Sequence, residues 1–99
     1  MTLDALSIQH EEADGRGAFF VEREGERLAE MTYGRASERV VILDHTEVHS
    51  KLQGLGVARR LLDTAVAWAR ATGTRFAVTC PYAKAQFAKD PSIRDVLDG

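Results

Sequence analysis

Two glycines lie where an apolar strand gives way to an amphipathic helix. The apolar run 40–43 is followed by the segment 51–56, KLQGLG, and helical patterning continues from Val57 to Thr72. Glycine at such a turn allows positive φ and close approach of the backbone to a ligand. The first N–H groups of a helix lack internal partners and, with the helix dipole, favour a negative ligand. The junction therefore predicts a strand–loop–helix unit that binds phosphate.

Length and charge restrict the class of protein. The chain has 99 residues, 44% of them hydrophobic, which suits one domain over residues 1–99. The formal net charge is -2, and no basic field indicates nucleic acid or an anionic membrane as partner. Cys80 is the only cysteine, so an internal disulfide is excluded. The residues after Met1 lack a leader pattern and no apolar run could cross a bilayer, which favours a cytoplasmic protein.

Alternating patterns upstream of the glycines predict a hairpin and then a central strand. Residues 18–23 and 27–33 alternate about a turn near Gly25, and the polar stretch 34–39 forms a second turn. The next strand, Val40 to about Val48, is apolar on both faces over its first half, as a covered central strand would be.

Polar residues occupy the second half of that strand. On an uninterrupted strand, His45 and Glu47 project from the face of Val41 and Leu43, whereas Asp44 and Thr46 project from the opposite face. Candidate polar groups therefore lie just before the glycine loop.

The helix that ends at Gly73 leads to a strand over 75–79 and, after Pro81, to a second helix over 82–89. A strand–helix–strand crossover in one sheet is right-handed and leaves its strands parallel, so Glu47 and Cys80 should share one sheet edge. Ligands gather at the carboxyl ends of such strands. Large aromatic residues are expected in the core: Phe19, Phe20, Trp68, Phe76 and Phe87.

These features resemble the GNAT (GCN5-related N-acetyltransferase) superfamily. Segment 51–56 is similar to the acyl-CoA-binding signature Gln/Arg-x-x-Gly-x-Gly/Ala, although Lys51 stands where Gln or Arg is usual. The segment 45–48 before the loop, and Cys80-Pro81-Tyr82 with Lys84, Phe87 and Pro91 after it, resemble the small single-domain members. The resemblance covers about residues 16–97.

The resemblance implies an α+β (mixed α/β) minimal GNAT-like fold. Antiparallel hairpin strands would lead into a splayed parallel pair joined by the glycine-loop helix, followed by a C-terminal helix. Acetyl-CoA would be the co-substrate, with its pantetheine arm in the splay and no metal. The N-terminal helices of larger members are missing, so only residues 1–15 remain to help shape the acceptor site. The implied coenzyme A contacts are Val48, Lys51, Leu52, Gln53, Gly54, Leu55, Gly56, Val57 and Ala58.

Four side chains are candidates for catalysing acetyl transfer to a primary amine by direct attack. Glu47 could take the acceptor's proton, or it could be a solvated strand-end carboxylate. His45 could assist or orient Glu47, or be structural. Cys80 could carry the acyl group, protonate the departing thiolate, or be a core residue. Tyr82 occupies the place where the family often keeps a tyrosine that protonates the thiolate, but it could also be a packed aromatic.

Other interpretations remain open. A non-catalytic acyl-CoA binding or sensing module needs only the glycine loop. His45, Glu47 and His49 have spacing acceptable for zinc on an unbroken strand. Arg59 stands where a dinucleotide motif would have its third glycine, which disfavours that class of ligand; Arg59 and Arg60 could instead meet the 3′-phosphate of coenzyme A or be solvated. The sequence identifies neither the acceptor amine nor the oligomeric state, although a monomer is plausible.

Overall fold

A computed structural model describes residues 7–99 as a five-stranded sheet covered on one face by helices. Residues 1–6 lie outside the described part. The prediction about a leader after Met1, and part of the prediction that residues 1–15 help shape the acceptor site, therefore fall outside the described residues. The strands lie in chain order, antiparallel except for the last, parallel pair. The strands and helices are β1 Gln9–Ala13, β2 Arg16–Arg23, β3 Glu26–Arg35, β4 Val40–Val48, α1 Val57–Thr72, β5 Arg75–Val78 and α2 Pro81–Lys89. This mixed α+β architecture confirms the predicted fold class.

The hairpin of β2 and β3 turns at Glu24 and Gly25, where φ is 51° and 80°. Helix α1 begins and ends at the residues that its periodicity predicts. It is flanked by Gly56 and Gly73, both in the left-handed conformation, with φ of 73° at each. Glycine adopts this conformation without the steric penalty of a Cβ atom, so both helix ends are defined by sequence.

Helices α1 and α2 both pack on the same face of the sheet, which we call the helix face. Leu61 and Leu62 of α1, Met31 and Tyr33 of β3, and Phe87 of α2 belong to one buried cluster. Phe19 and Phe76 also belong to it, and Trp68 packs half-buried against it, as predicted. The other side of the sheet, which we call the open face, has no helix on it among residues 7–99. Phe20 is buried there outside the main cluster, beneath the guanidinium of Arg27 at 3.9 Å from the ring centroid.

A β-bulge in β4 overturns the predicted facing of its polar half. Opposite β4, Tyr33 pairs with Leu43, but the preceding residue, Thr32, pairs with His45, so Asp44 is an extra residue in the ladder. Directly opposed residues of an antiparallel pair project from the same face. One inserted residue therefore reverses the alternation beyond it. His45 and Glu47 lie on the open face, opposite to Leu43, and Thr46 lies on the helix face.

Three elements had no sequence prediction, and one of them is the 3-10 helix Ser50–Leu52 that begins the glycine loop. Strand β1 pairs with β2 along the outer edge of the sheet, although all five of its residues are exposed. A 3-10 helix, Pro91–Val96, follows α2 and buries Ile93 and Val96. Neither α1 nor α2, the α-helices of the described residues, is long and apolar enough to span a membrane.

Candidate functional site

The parallel strands β4 and β5 separate midway along β4. Their pairing ends with Leu43 opposite Val78. The backbone N–H groups of Thr79 and Cys80 both donate to the Leu43 carbonyl, at 2.9 and 3.0 Å, where the chain turns away into α2. Strand β4 continues to Val48 without β5 beside it. The sheet therefore splits at the carboxyl ends of these two strands.

On the helix face of this split lie Cys80, Thr46 and Tyr82. Cys80 is 1% exposed at the N-cap of α2, and its Sγ lies 3.1 Å from Thr46 Oγ1. Tyr82, one residue into α2, is half-buried against the core, and burial raises the pKa of its phenol. A phenol with a raised pKa keeps its proton at neutral pH and can donate it to a stronger base.

The open face carries the two other catalytic candidates. Glu47 and His45 are exposed at 71% and 58% of their side-chain area, and Glu47 Oε2 lies 3.5 Å from His45 Nε2. Glu47 and Cys80 therefore both lie at the split, but on opposite faces of the sheet.

The side chain of His49 contacts residues other than Glu47 and His45. His49 Nδ1 accepts the Lys51 backbone N–H at 3.1 Å, and its Nε2 lies 3.9 Å from Glu26 Oε1. Within residues 7–99 no group of three acidic, histidine or cysteine side chains could hold a metal ion. The arrangement of His45, Glu47 and His49 thus gives no support to the zinc interpretation.

The glycine loop forms an open backbone surface at the start of α1. Gly54 and Gly56 have φ of 81° and 73°. A Cβ atom built on either would meet nothing within 4 Å, so the conformation rather than crowding requires glycine. No side chain caps the N-terminus of α1. Its first N–H groups therefore remain available to a ligand that approaches over the glycines.

Buried residues anchor the loop at both ends. Leu52 and Val57 are each 2% exposed, and Val48 packs against the core. Gln53 Nε2 donates to the Val48 carbonyl at 3.3 Å, which ties the loop to the end of β4. Between these anchors the loop is exposed, and Ala58 in the first turn of α1 is half-buried. The exposed residues are Lys51, Gln53, Gly54, Leu55 and Gly56.

Arg59 has a structural role that its sequence position did not indicate. Its Nε donates to Asp63 at 2.9 Å and its Nη1 to Gln86 at 2.8 Å, while Nη2 donates to Asp90. The hydrogen bond of Ser92 and that of Arg59 lower the pKa of Asp90 to about 2. All three guanidinium nitrogens are thus engaged, two of them in joining α1 to α2 and its C-cap Asp90, which argues against a contact with the 3′-phosphate.

Two residues at the site were not among the sequence candidates. Thr46 was placed on the wrong face, and only its contact with Cys80 identifies it. Glu30, on β3, lies directly opposite Glu47. The alternation of β3 puts Glu30 on a polar face, but no motif marks it.

Comparison with known proteins assigns the chain to a family. Residues 18–96 match the family described as GCN5-related N-acetyl-transferase. The chain is therefore a member of the GCN5-related N-acetyltransferases, as its resemblance implied. No curated protein matches it.

Solved structures support this assignment. The chain is 30% identical to a GCN5-like candidate N-acetyltransferase from Staphylococcus aureus, with a TM-score of 0.68 over 92% of this chain and 88% of that one. It is 12% identical to a GNAT family acetyltransferase from Elizabethkingia anophelis with acetyl-CoA bound (TM-score 0.63, 86% and 72% covered). It is 16% identical to an aminoglycoside acetyltransferase from a soil metagenomic sample in complex with sisomicin (TM-score 0.58, 81% and 60% covered). The last two likenesses show the fold alone.

Proposed function

We propose that the protein, as one domain over residues 1–99, transfers the acetyl group of acetyl-CoA to a primary amine by direct attack. The observation that carries the proposal is the split sheet, which has the glycine loop beside it, a protonated phenol on one face and a carboxylate on the other. The coenzyme A pyrophosphate would bind the N–H groups of the loop and of the first turn of α1. The pantetheine arm would run between β4 and β5, where their pairing stops.

The two faces of the sheet would then have different chemical tasks. An acceptor ammonium on the open face gives a proton to Glu47, directly or through water, and the free amine attacks the thioester carbonyl. The C–N bond forms, the C–S bond breaks, and the nitrogen releases its second proton to solvent. The thiolate leaves on the helix face and takes the proton of Tyr82 or of the Cys80 thiol, which solvent then restores. Backbone N–H groups of β4 beyond Leu43 would stabilise the developing oxyanion.

Kinetics of thiol release from acetyl-CoA with a panel of primary amines tests this proposal. Glu47→Gln should lower kcat/KM by about 10²-fold or more because a positioned general base contributes at least that factor. Coenzyme A affinity, measured by calorimetry, should stay unchanged in this variant. Glu38→Gln is the matched control, since Glu38 is exposed in the turn between β3 and β4, at the other end of these strands.

Substitutions on the helix face separate the remaining roles. Tyr82→Phe should slow the release of the thiol if the phenol is the acid, whereas Cys80→Ala should do so if the thiol is the acid or carries the acyl group. Mass spectrometry of a rapidly quenched reaction of the wild-type protein would detect an acetyl group on Cys80 only if the thiol carries the acyl group.

The exposure of Glu47 favours a second candidate function. A carboxylate 71% exposed can be a solvated strand end in a module that binds acyl-CoA without turning it over. Coenzyme A binding with no thiol release by any amine would establish that module and overturn the transferase. Absence of coenzyme A binding by folded protein would overturn both.

A further inference from the structure

A cavity lies at the end of α1 that is remote from the glycine loop, between the turn before β4, the start of β5 and the 3-10 helix Pro91–Val96. Its volume is about 460 Å³, and small-molecule sites commonly have about 300 to 1,000 Å³. Helix α1 has 16 residues and is therefore about 24 Å long, so the cavity is separate from the proposed coenzyme A site. The buried residues of its lining are Ala69, Thr74 and Val96.

Arginine side chains from three elements also line this cavity. Arg39 comes from the turn before β4, Arg70 from the last turn of α1 and Arg75 from the start of β5. Asp95 is the one acidic residue that the described chain contributes to the lining. The whole chain has a formal net charge of -2, so this excess of positive charge is local.

The Asp95 carboxylate balances one of the three guanidinium groups. Arg70 Nε and Nη2 donate to its two oxygens at 3.0 and 2.7 Å. The hydrogen bonding of Arg70 lowers the pKa of Asp95, so this carboxyl group is ionised at neutral pH. Arg75 Nη1 donates instead to the main-chain carbonyl of Asp95, which carries no net charge.

The guanidinium of Arg39 forms no ion pair with a carboxylate of residues 7–99. Its Nη1 lies 3.8 Å from the position that a Cβ atom would have at Gly73, so the side chain reaches from the turn before β4 toward the end of α1. The Arg75 backbone N–H donates to the Arg39 carbonyl at 2.6 Å, which holds these two residues side by side. Arg39 and Arg75 therefore leave two positive charges at the cavity without a carboxylate of their own.

The C-terminus of α1 does not cancel this charge. The carbonyl groups at a helix C-terminus are equivalent to about half an elementary negative charge. That partial charge opposes two full charges, those of Arg39 and Arg75, so the cavity remains positive.

We propose that this cavity binds a small phosphate monoester, with its dianionic phosphate on Arg39 and Arg75 and its organic part against Ala69 and Val96. A guanidinium presents N–H groups in a planar fork that matches the oxygens of a phosphate, and such charge-assisted hydrogen bonds are stronger than neutral ones. Two unbalanced positive charges match a dianion better than a monoanion. The proposal concerns a second site and does not depend on the proposed acetyltransferase function.

Two-dimensional NMR titration of the whole protein at pH 7.5 tests the site. The probes are phenyl phosphate, a dianion at this pH, and phenyl sulfate, which has a similar shape and a single negative charge. Phenyl phosphate should shift the amide signals of residues 39–40, 70–75 and 95–96 saturably and bind about tenfold more tightly than phenyl sulfate, because one charge-assisted contact contributes about that factor. The signals of residues 53–58 report separately any binding at the glycine loop. No saturable response at the cavity, or equal affinity for the two probes, would overturn the proposal.

Three variants assign the affinity to particular charges. Arg39→Gln should weaken the binding of phenyl phosphate about tenfold, and it breaks no ion pair of the described residues. Arg23→Gln is the matched control, since it removes the same charge at the end of β2 beside the β2–β3 turn and should leave the affinity unchanged. Asp95→Asn should tighten binding by up to about fivefold because it removes the competing carboxylate. Equal losses in Arg39→Gln and Arg23→Gln, or weaker binding in Asp95→Asn with circular dichroism unchanged, would refute the site.

Discussion

Gly17→Ala should destabilise the protein far more than an equivalent change elsewhere in the same sheet. Gly17 lies opposite Tyr33, and a Cβ atom at Gly17 would be 2.3 Å from Tyr33 Cζ and 2.5 Å from its hydroxyl. The ring cannot simply move aside. Tyr33 is 0% exposed, stacks on Trp68, and its hydroxyl is hydrogen-bonded to His10 Nε2 at 2.6 Å and to Glu12 Oε1 at 2.8 Å.

The expected loss follows from these contacts. Overpacking of a buried ring costs about 1 to 3 kcal/mol. Displacing the Tyr33 hydroxyl from its two partners costs about 1 kcal/mol each. Alanine offsets about 0.5 to 1 kcal/mol of this because it loses less backbone entropy than glycine in a strand. The free energy of unfolding should therefore fall by about 2 to 4 kcal/mol, with a fall in Tm of at least about 8 °C.

Gly34→Ala is the matched control. A Cβ atom at Gly34 would meet Arg16 Nη1 at 2.9 Å, but this atom ends a flexible side chain that is 60% exposed. The arginine can swing away, losing only a surface ion pair with Asp44, so the cost should be below about 1 kcal/mol. Urea titration followed by the fluorescence of Trp68 and by circular dichroism measures both variants.

A double-mutant comparison isolates the clash itself. In a Tyr33→Leu background the ring is absent, and Gly17→Ala should then cost less than about 0.5 kcal/mol. The reasoning is refuted if Gly17→Ala and Gly34→Ala prove equally destabilising, or if the cost of Gly17→Ala is the same in both backgrounds.

Three further predictions follow from the loop and the side-chain networks. Hydrogen bonds from Arg35 and Tyr33 lower the pKa of Glu12 from 4.5 to about 2, so the stability that these bonds contribute is complete above pH 4.5 and is lost as the pH falls toward 2. The free energy of unfolding, measured with urea, should therefore decline less steeply over this range in Glu12→Gln than in the wild type. Parallel curves would contradict the assignment. Gly56→Ala should weaken coenzyme A binding, measured by calorimetry, about tenfold. Gly25→Ala is its control, because Gly25 has a similar φ (80°, against 73° at Gly56) but lies in the β2–β3 hairpin, and it should leave this affinity unchanged. Equal affinities of the two variants would remove the loop from the site. Arg59→Gln should lower the free energy of unfolding by about 1 kcal/mol yet leave the ratio of affinities for coenzyme A and 3′-dephospho-coenzyme A unaltered, and a changed ratio would place Arg59 at the 3′-phosphate.

Local patterns in the sequence were sufficient for the elements that bear the glycine loop. The bounds of α1 and β4 agree with the structure because apolar periodicity and the flanking glycines are local signals. The parallel placement of β4 and β5 followed from the strand–helix–strand connection, because a helix of this length returns the chain to the edge of the sheet at which the first strand began. The family resemblance at segment 51–56 is confirmed by the match over residues 18–96.

Features that depend on tertiary contacts could not be predicted in this way. The bulge at Asp44 has no glycine to mark it; it is associated with the hydrogen bonds that Asp44 accepts from Arg16 at 2.7 Å and Thr32 at 2.5 Å. Both donors are distant in sequence, so strict alternation put Glu47 on the wrong face. Strand β1 has only exposed, mostly polar residues, and a strand of this kind is recognisable only by its pairing with β2.

Because Cys80 is buried, the reaction rate of the protein's only thiol reports how often this part of the sheet opens. A thiol 1% exposed cannot meet a soluble disulfide reagent such as Ellman's until the end of β5 and the start of α2 detach from Thr46. The rate at which the reagent's colour develops in native protein therefore counts these detachments without any introduced label. Acetyl-CoA bound between the strands would hold them together and slow the reaction of Cys80 with the reagent. The fraction of protein with acetyl-CoA bound could then be read from the reaction rate alone.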